Sequence, residues 1–369
     1  MKRVNKQRVD CLAGSVSVGS TYDKKKMVAR FDKLSFVSDL GDMNKAQLRD
    51  ALFRVKTDSH YLVKSYRVRV NESCGLSAMY RQRLEIQDLS KLDVEQNIAM
   101  IWFKRRGRVR GEFRLEMSPQ HFSDKDITKL IFWLADKSRL GEMMFDLLNE
   151  GWLTSIHYAL DIYGMRLSDY LIGMKRCSKG EVRKDENGME GIVLGHSSKV
   201  ASIYEKVDVR PLSKKDLVKV PCVKLQHNEY EEFLRIEMRF RPAKGELKLG
   251  DIKDMPNLLG HLAFYDKAFL IDPKLDPQFV KALDTMVMPV AMKKHKVSRE
   301  IDGVKVSTAR KAAMKRICKL RGKYRVDVFD ADKVWKQLDV IIEKLGILGT
   351  PQFWNKKLRE RKFGGSIID

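Results

Sequence analysis

The sequence predicts an α+β fold: a mostly antiparallel sheet core with packed helices, followed by a basic helical C-terminal region. Three observations carry this reading. The stretch "FLRIEMRFR", Phe233 to Arg241, alternates Leu234, Ile236, Met238 and Phe240 with Arg235, Glu237, Arg239 and Arg241. A period of two marks a strand with one buried face. Between Ser123 and Gly151 the apolar residues instead recur at helical spacing. Beyond Pro242 prolines cut the chain into short helical pieces, and basic residues crowd together.

Taken in order, residues 1–50 are polar and mixed ("GSVSVGS", "DKKK") and read as a partly disordered N-terminal arm, with a short helix near Asn44 to Phe53. The core is expected over 51–242. "HYLVKSYRVRV" alternates in part, and "IAMIWFKRRGRVRGEFRLEMSP" reads as a hairpin whose tip, Arg105 to Arg110, is basic. A helix follows, with Ser123 as N-cap, Asp124 and Asp126 in its first turn, and Gly151 after its last. Ile127, Leu130, Ile131, Leu134, Met143, Phe145, Leu147 and Leu148 form its apolar stripe. "LTSIHYALDIYG" is the next strand. The charged "KRCSKGEVRKDENGMEG" reads as a surface loop. Then come "IVLG", "KVASIYEKVDV", a long polar linker and the opening strand. The region 243–369 is expected to be helical and basic.

Composition narrows the function. The chain has 369 residues, 72 Lys or Arg against 49 Asp or Glu, and a formal net charge of +23. Such an excess attracts a polyanion, nucleic acid first and an anionic membrane second. From Lys293 to Arg325 there are 13 Lys or Arg against two acids, nearly half of the whole excess. Lys311, Lys315 and Arg316 lie in this run and are candidate DNA contacts, as are Arg105 and Arg106 in the hairpin tip. The longest apolar run, "LIFWLA", is far short of the roughly 20 residues of a spanning helix. "MKRVNKQRVD" leads into no apolar signal core. The 5 cysteines are scattered and form no CxxC pair, which favours free thiols in a reducing cytoplasm over a zinc site.

Three strand segments place polar groups on one alternating face. In "SIHYALDIY" these are His157 and Asp161. In "VASIYEKV" they are Ser202, Tyr204 and Lys206, and in the opening strand Glu237 stands among arginines. If the three strands neighbour each other, an imidazole, two carboxylates, a phenol and an ammonium converge. Oxygen and imidazole ligands suit Mg²⁺ or Mn²⁺. A metal polarises a scissile phosphate, a tyrosine attacks it, and a lysine beside the phenol lowers its pKa. Arg235, Arg239 and Arg241 would hold DNA phosphates. A plainer reading stands beside this one: Glu237 as a surface acid paired with Arg235 and Arg239, His157 as a satisfied half-buried histidine, and Tyr204 as an ordinary strand aromatic. Tyr158, Tyr163 and Tyr230 are rival nucleophiles.

The order of these segments resembles the replication initiation factor family, the rolling-circle initiators of filamentous bacteriophages and related plasmids. The resemblance covers about Gly111 to Arg241. It rests on "FRLEMSPQHF" before a helix, "SIHYALD", "GHSSKVASIYEK" and "RIEMR". Two positions depart from the family pattern: Ser155 stands for its Arg, and His157 for its first Asp. The resemblance implies Tyr204 as nucleophile, Lys206 as its charge partner, Glu237 as metal ligand and Asp161 as the family's second acid. Residues four apart on a strand are separated by roughly 13 Å, so only one of His157 and Asp161 is expected to touch the ion. The implied activity is nicking and rejoining of one strand at an origin, unpaired at the nick, by a core at 51–242 in a bacterial cytoplasm. Host helicase and polymerase are the implied partners. A non-catalytic DNA-binding regulator is the alternative. A conjugative relaxase is weaker, since no His-x-His pair is present.

Overall fold

The computed structural model describes residues 2–5, 9–10, 14–40, 42–68, 79–89, 97–107, 111–185, 188–209, 222–225, 230–296 and 307–364. Its strands, in chain order, begin with β1 (Lys2–Asn5), β2 (Val9–Asp10), β3 (Ser15–Ser20), β4 (Lys26–Ser38), β5 (Tyr61–Arg67), β6 (Tyr80–Asp88), β7 (Ala99–Arg105), β8 (Phe113–Met117) and β9 (Trp152–Tyr163). They continue with β10 (Leu171–Met174), β11 (Gly180–Asp185), β12 (Gly188–His196), β13 (Lys199–Val209), β14 (Cys222–Leu225), β15 (Tyr230–Phe240), β16 (Leu262–Tyr265) and β17 (Arg325–Val326).

One large sheet runs in the order β11-β12-β13-β15-β9-β4-β8-β7-β6-β5, with β2 beside β13 and β3 beside β4. Every neighbouring pair along that path is antiparallel. Helices α1 (Asp42–Arg54), α2 (Asp124–Leu134) and α3 (Met143–Asn149) accompany it, so the α+β class with a large antiparallel sheet is established. The reason lies in the alternation. Ile156, Tyr158, Leu160 and Ile162 of β9, with Leu234, Ile236, Met238 and Phe240 of β15, are buried in one core with Ile127, Leu130, Ile131 and Leu134 of α2. The opposite face of the same strands carries Ser155, His157, Asp161, Arg235, Glu237 and Arg239.

Ser123 caps α2 through the amide of Asp126, whose carboxylate accepts in turn from the Ser123 amide. The helix does not run on to Gly151. It ends at Leu134, and a turn containing Gly141 at φ +59° separates it from α3. Asp136 and Ser138 supply the turn chemistry, with the Ser138 amide donating to the Asp136 carboxylate at 2.8 Å.

Three other sequence readings need correction. The supposed arm contains β4, a 13-residue strand between β9 and β8 in which Phe31, Leu34 and Phe36 are buried. A strand covered on both faces loses the alternation that would reveal it. The "surface loop" is instead the edge hairpin β11–β12, paired from Gly180↔Leu194 to Asp185↔Gly188. The region beyond residue 242 is not one appendage. Ile341, Leu348 and Trp354 join the main core, whereas Phe269, Phe279, Met314, Ile317 and Leu320 form a second cluster. That second cluster involves α4 (Pro277–Leu283), α5 (Met288–Lys296) and α6 (Ser307–Lys323). The linker at 210–221, the tip at 108–110 and the basic residues at 297–306 lie outside the described residues. No described helix is long and apolar enough to cross a membrane.

Candidate metal and tyrosine site

Register brings the predicted residues together. β15 lies between β13 and β9, and its cross-strand partners are Ser202↔Glu237↔Ala159, Tyr204↔Arg235↔Asp161 and Arg239↔His157. β4 completes the site from the far side of β9. Phe31 pairs with Tyr158 and Lys33 with His157, so Asp32 is the extra residue of a β-bulge. A bulge re-aims a side chain without breaking the sheet. Here it delivers a carboxylate that the sequence reading missed.

Asp32, His157 and Glu237 each offer a ligand atom within 4.8 Å of the others. His157 Nδ1 donates to Glu237 Oε1 at 2.8 Å and lies 4.0 Å from Asp32 Oδ2. Its Nε2 is 3.1 Å from Ser155 Oγ. Arg239 Nε also donates to Glu237 Oε1, at 2.8 Å. Burial pushes the Glu237 carboxyl up, but the hydrogen bonds from His157 and Arg239 outweigh it and hold the group well below the usual carboxylate range. Asp32 goes the other way. Burial raises it, Arg235 opposes, and the charge of Glu237 raises it further. Two carboxylates with unequal proton affinity therefore face one imidazole.

The donor set fits a divalent ion of the Mg²⁺ or Mn²⁺ kind: two carboxylates and one imidazole on rigid strands. A further observation supports the fit. Ser202 is 2% exposed, sits directly opposite Glu237, and its Oγ finds no hydrogen-bond partner among the described residues. A buried hydroxyl in that state costs free energy unless something polar reaches it.

Tyr204 reaches the cluster diagonally, its hydroxyl donating to Glu237 Oε2 at 3.1 Å. Burial raises the phenol pKa most; Arg235 opposes this, and the charges of Glu237 and Asp32 add to it, so the group is a neutral donor here. Gly191 makes room beside it. A Cβ there would meet Ile203 O at 2.8 Å and Tyr204 Cβ at 3.1 Å. Lys206 is buried on the same strand, and its charge acts on Asp32.

Asp161 and Arg235 lie behind the cluster, paired with each other. Both are fully buried, and Arg235 grips Asp161 through Nε at 2.6 Å and Nη2 at 2.7 Å. Arg30 approaches the same carboxylate at 2.7 Å. Asp161 is thus saturated by two guanidinium groups, and Arg235 is out of reach of a DNA phosphate. Arg235 also donates to Gln120 at 2.9 Å and to Asp32 at 3.3 Å, and Gln120 in turn bonds Asp32. The pair acts as a buttress behind the cluster. The sequence signal for this was Arg30, in a segment read as an arm.

The remaining candidates divide. Tyr158 faces the apolar side, its ring 4.9 Å from that of Trp335. Tyr163 packs on Phe233 at 5.1 Å, and the Tyr230 side chain lies outside the described residues. Arg105 is tied to Asp39 at 3.1 Å, and Arg106 donates to the Val68 carbonyl at 2.6 Å. Both brace the hairpin base rather than standing free at its tip. Arg241 is exposed at the end of β15. Lys311, Lys315 and Arg316 are exposed on α6, opposite the packed Met314, Ile317 and Leu320.

No protein-family model matches the chain, and no curated protein does. Among solved structures the chain is similar to a rolling circle replication initiator protein from Geobacillus stearothermophilus, with a TM-score of 0.33 and 14% identity, over 65% of this chain and 88% of that one.

Proposed function

We propose that this chain is a metal-assisted DNA nicking and joining enzyme that initiates rolling-circle replication. The observation that carries the reading is the Tyr204 hydroxyl, hydrogen-bonded to Glu237 within a cluster of Asp32, His157 and Glu237 on adjacent strands. A tyrosine beside a divalent-ion site is the arrangement that covalent phosphoryl transfer needs.

Asp32, His157 and Glu237 would hold the ion, which would supply Lewis acidity for phosphoryl transfer. Tyr204 Oη forms the new bond to phosphorus as the bond to the 3′ oxygen breaks. The phenol proton passes to solvent, and the departing 3′ oxygen takes a proton from solvent. The 5′ end stays on Tyr204 as a phosphotyrosine, and the free 3′-OH is a primer. Attack by a 3′-OH in the reverse direction rejoins the strand. Lys206 offsets charge around Asp32. Arg239 and Arg241 hold phosphates along β15, and Lys311, Lys315 and Arg316 hold the duplex at a distance from the chemistry.

The test is incubation of the protein with supercoiled plasmid carrying its own gene, with Mg²⁺ or Mn²⁺. Nicked circles support the reading. Tight binding without nicking under either ion would make the chain a DNA-binding regulator.

A further inference from the structure

Beside the cluster lies a cleft of about 370 Å³, and His157 lines both. We infer that this cleft seats one unpaired nucleotide next to the scissile phosphate, its base against Trp152 and its phosphate on Arg241 and Lys244. The inference rests on the nicking reading above and adds to it the residues that select an unpaired strand.

Size, wall chemistry and charge carry the argument. The volume is at the lower end of small-molecule sites, room for a mononucleotide but not for a base pair. Trp152, Met79 and Pro242 supply an apolar wall. An indole is a sequence-tolerant platform for a nucleobase. Two further lining cations are already committed, because Glu116 accepts from Lys33 at 2.6 Å and from Arg114 at 3.3 Å. Arg241 and Lys244 differ. Both are exposed, both line the cleft, and neither makes an ion pair among the described residues. They are available for a phosphate, at the end of the strand that carries Glu237. A strand whose base occupies the cleft therefore passes its backbone over His157 toward Tyr204.

The experiment uses the full chain in EDTA, so that binding is read without cleavage. Short labelled single-stranded oligonucleotides, intact or with one abasic residue at each position in turn, are titrated by fluorescence anisotropy. The variants are Trp152→Leu and the pair Arg241→Gln with Lys244→Gln, whose side chains are exposed. The charge pair is expected to weaken binding about tenfold and to lower the slope of log K against log salt by about 0.7, the value for one phosphate contact on a single strand. One abasic position is expected to cost the wild type about tenfold and Trp152→Leu nothing. Wild-type affinity and slope in the charge pair overturn the inference. So does the absence of an abasic position whose cost depends on Trp152. Parallel reactions with Mg²⁺ separate the two ideas. Both binding effects without any nicking leave the nucleotide seat standing and remove the enzyme reading. Nicking with unaltered binding in the variants removes the seat alone.

Discussion

The hydroxyl of Tyr204 donates to Glu237 Oε2 at 3.1 Å, from a neighbouring strand and two residues away in register. The same carboxylate accepts from His157 and Arg239 through its other oxygen. Glu237 is thus the junction between the tyrosine and the ion site, which answers why one acid stands in a row of arginines.

Substituting Glu237→Gln keeps the shape and removes the charge. Nicking is expected to fall by roughly 10²–10³-fold, the usual size of losing one charge contact to a transition state. Gel quantification of nicked circles checks this, with circular dichroism to confirm the fold. An unaltered nicking rate would remove Glu237 from the chemistry.

Asp32 and Asp161 are expected to fail differently. Asp161 is fully buried between Arg30 and Arg235, so Asp161→Asn leaves two guanidinium groups short of their charge. The cost is about 3–5 kcal/mol, visible as a lowered denaturation midpoint. Asp32→Asn is expected to keep most of that stability and lose metal-dependent nicking. Equal unfolding profiles for the two variants would contradict the division of roles.

Titration of the phenol offers a pH test. Burial raises the Tyr204 pKa most, Arg235 opposes, and the charges of Glu237 and Asp32 add to the rise. The neutral form therefore persists above the ordinary phenol value of about 10. In the metal-free protein, the tyrosinate absorbance missing from Tyr204→Phe is expected to develop only above that pH. Adding Mn²⁺ is expected to shift it downward. A Tyr204 midpoint below about 10 without metal would overturn the electrostatic description.

Much of this architecture was legible in the sequence. Strict alternation at Leu234–Phe240 fixed both the strand and its faces, and the spacing of Ser155 to Asp161 placed His157 and Asp161 on one side. What escaped was β4. Its residues Met27 to Phe31 are buried on both faces, so no alternation marks it, and its charged residues look like surface. Asp32 escaped for a second reason. A bulge is a property of two paired strands, and nothing in "ARFDKLS" states which strand will lie beside it. The same ignorance of pairing hid the surroundings of Asp161, since its partners Arg30 and Arg235 are 131 and 74 positions away. Strand alternation also could not separate a buried face lined with ion pairs from an exposed one.

The basic face of α6 is best tested by substitution. Removing the C-terminal region would also remove Ile341, Leu348 and Trp354 from the main core. Lys311→Ala, Lys315→Ala and Arg316→Ala together are expected to weaken duplex binding and to flatten its salt dependence by up to about 2.7 in log–log slope, or about 0.9 per contact. Unchanged affinity and slope would leave this face merely solvated.

The most direct measurement is the covalent link itself. The protein is incubated with a labelled single-stranded oligonucleotide spanning its origin and Mg²⁺ or Mn²⁺, then denatured and resolved by electrophoresis. Label is expected to migrate with the wild-type protein and with Tyr163→Phe, and to be absent from Tyr204→Phe, which lacks only the hydroxyl. Label that persists on Tyr204→Phe would contradict the assignment of Tyr204 as the nucleophile.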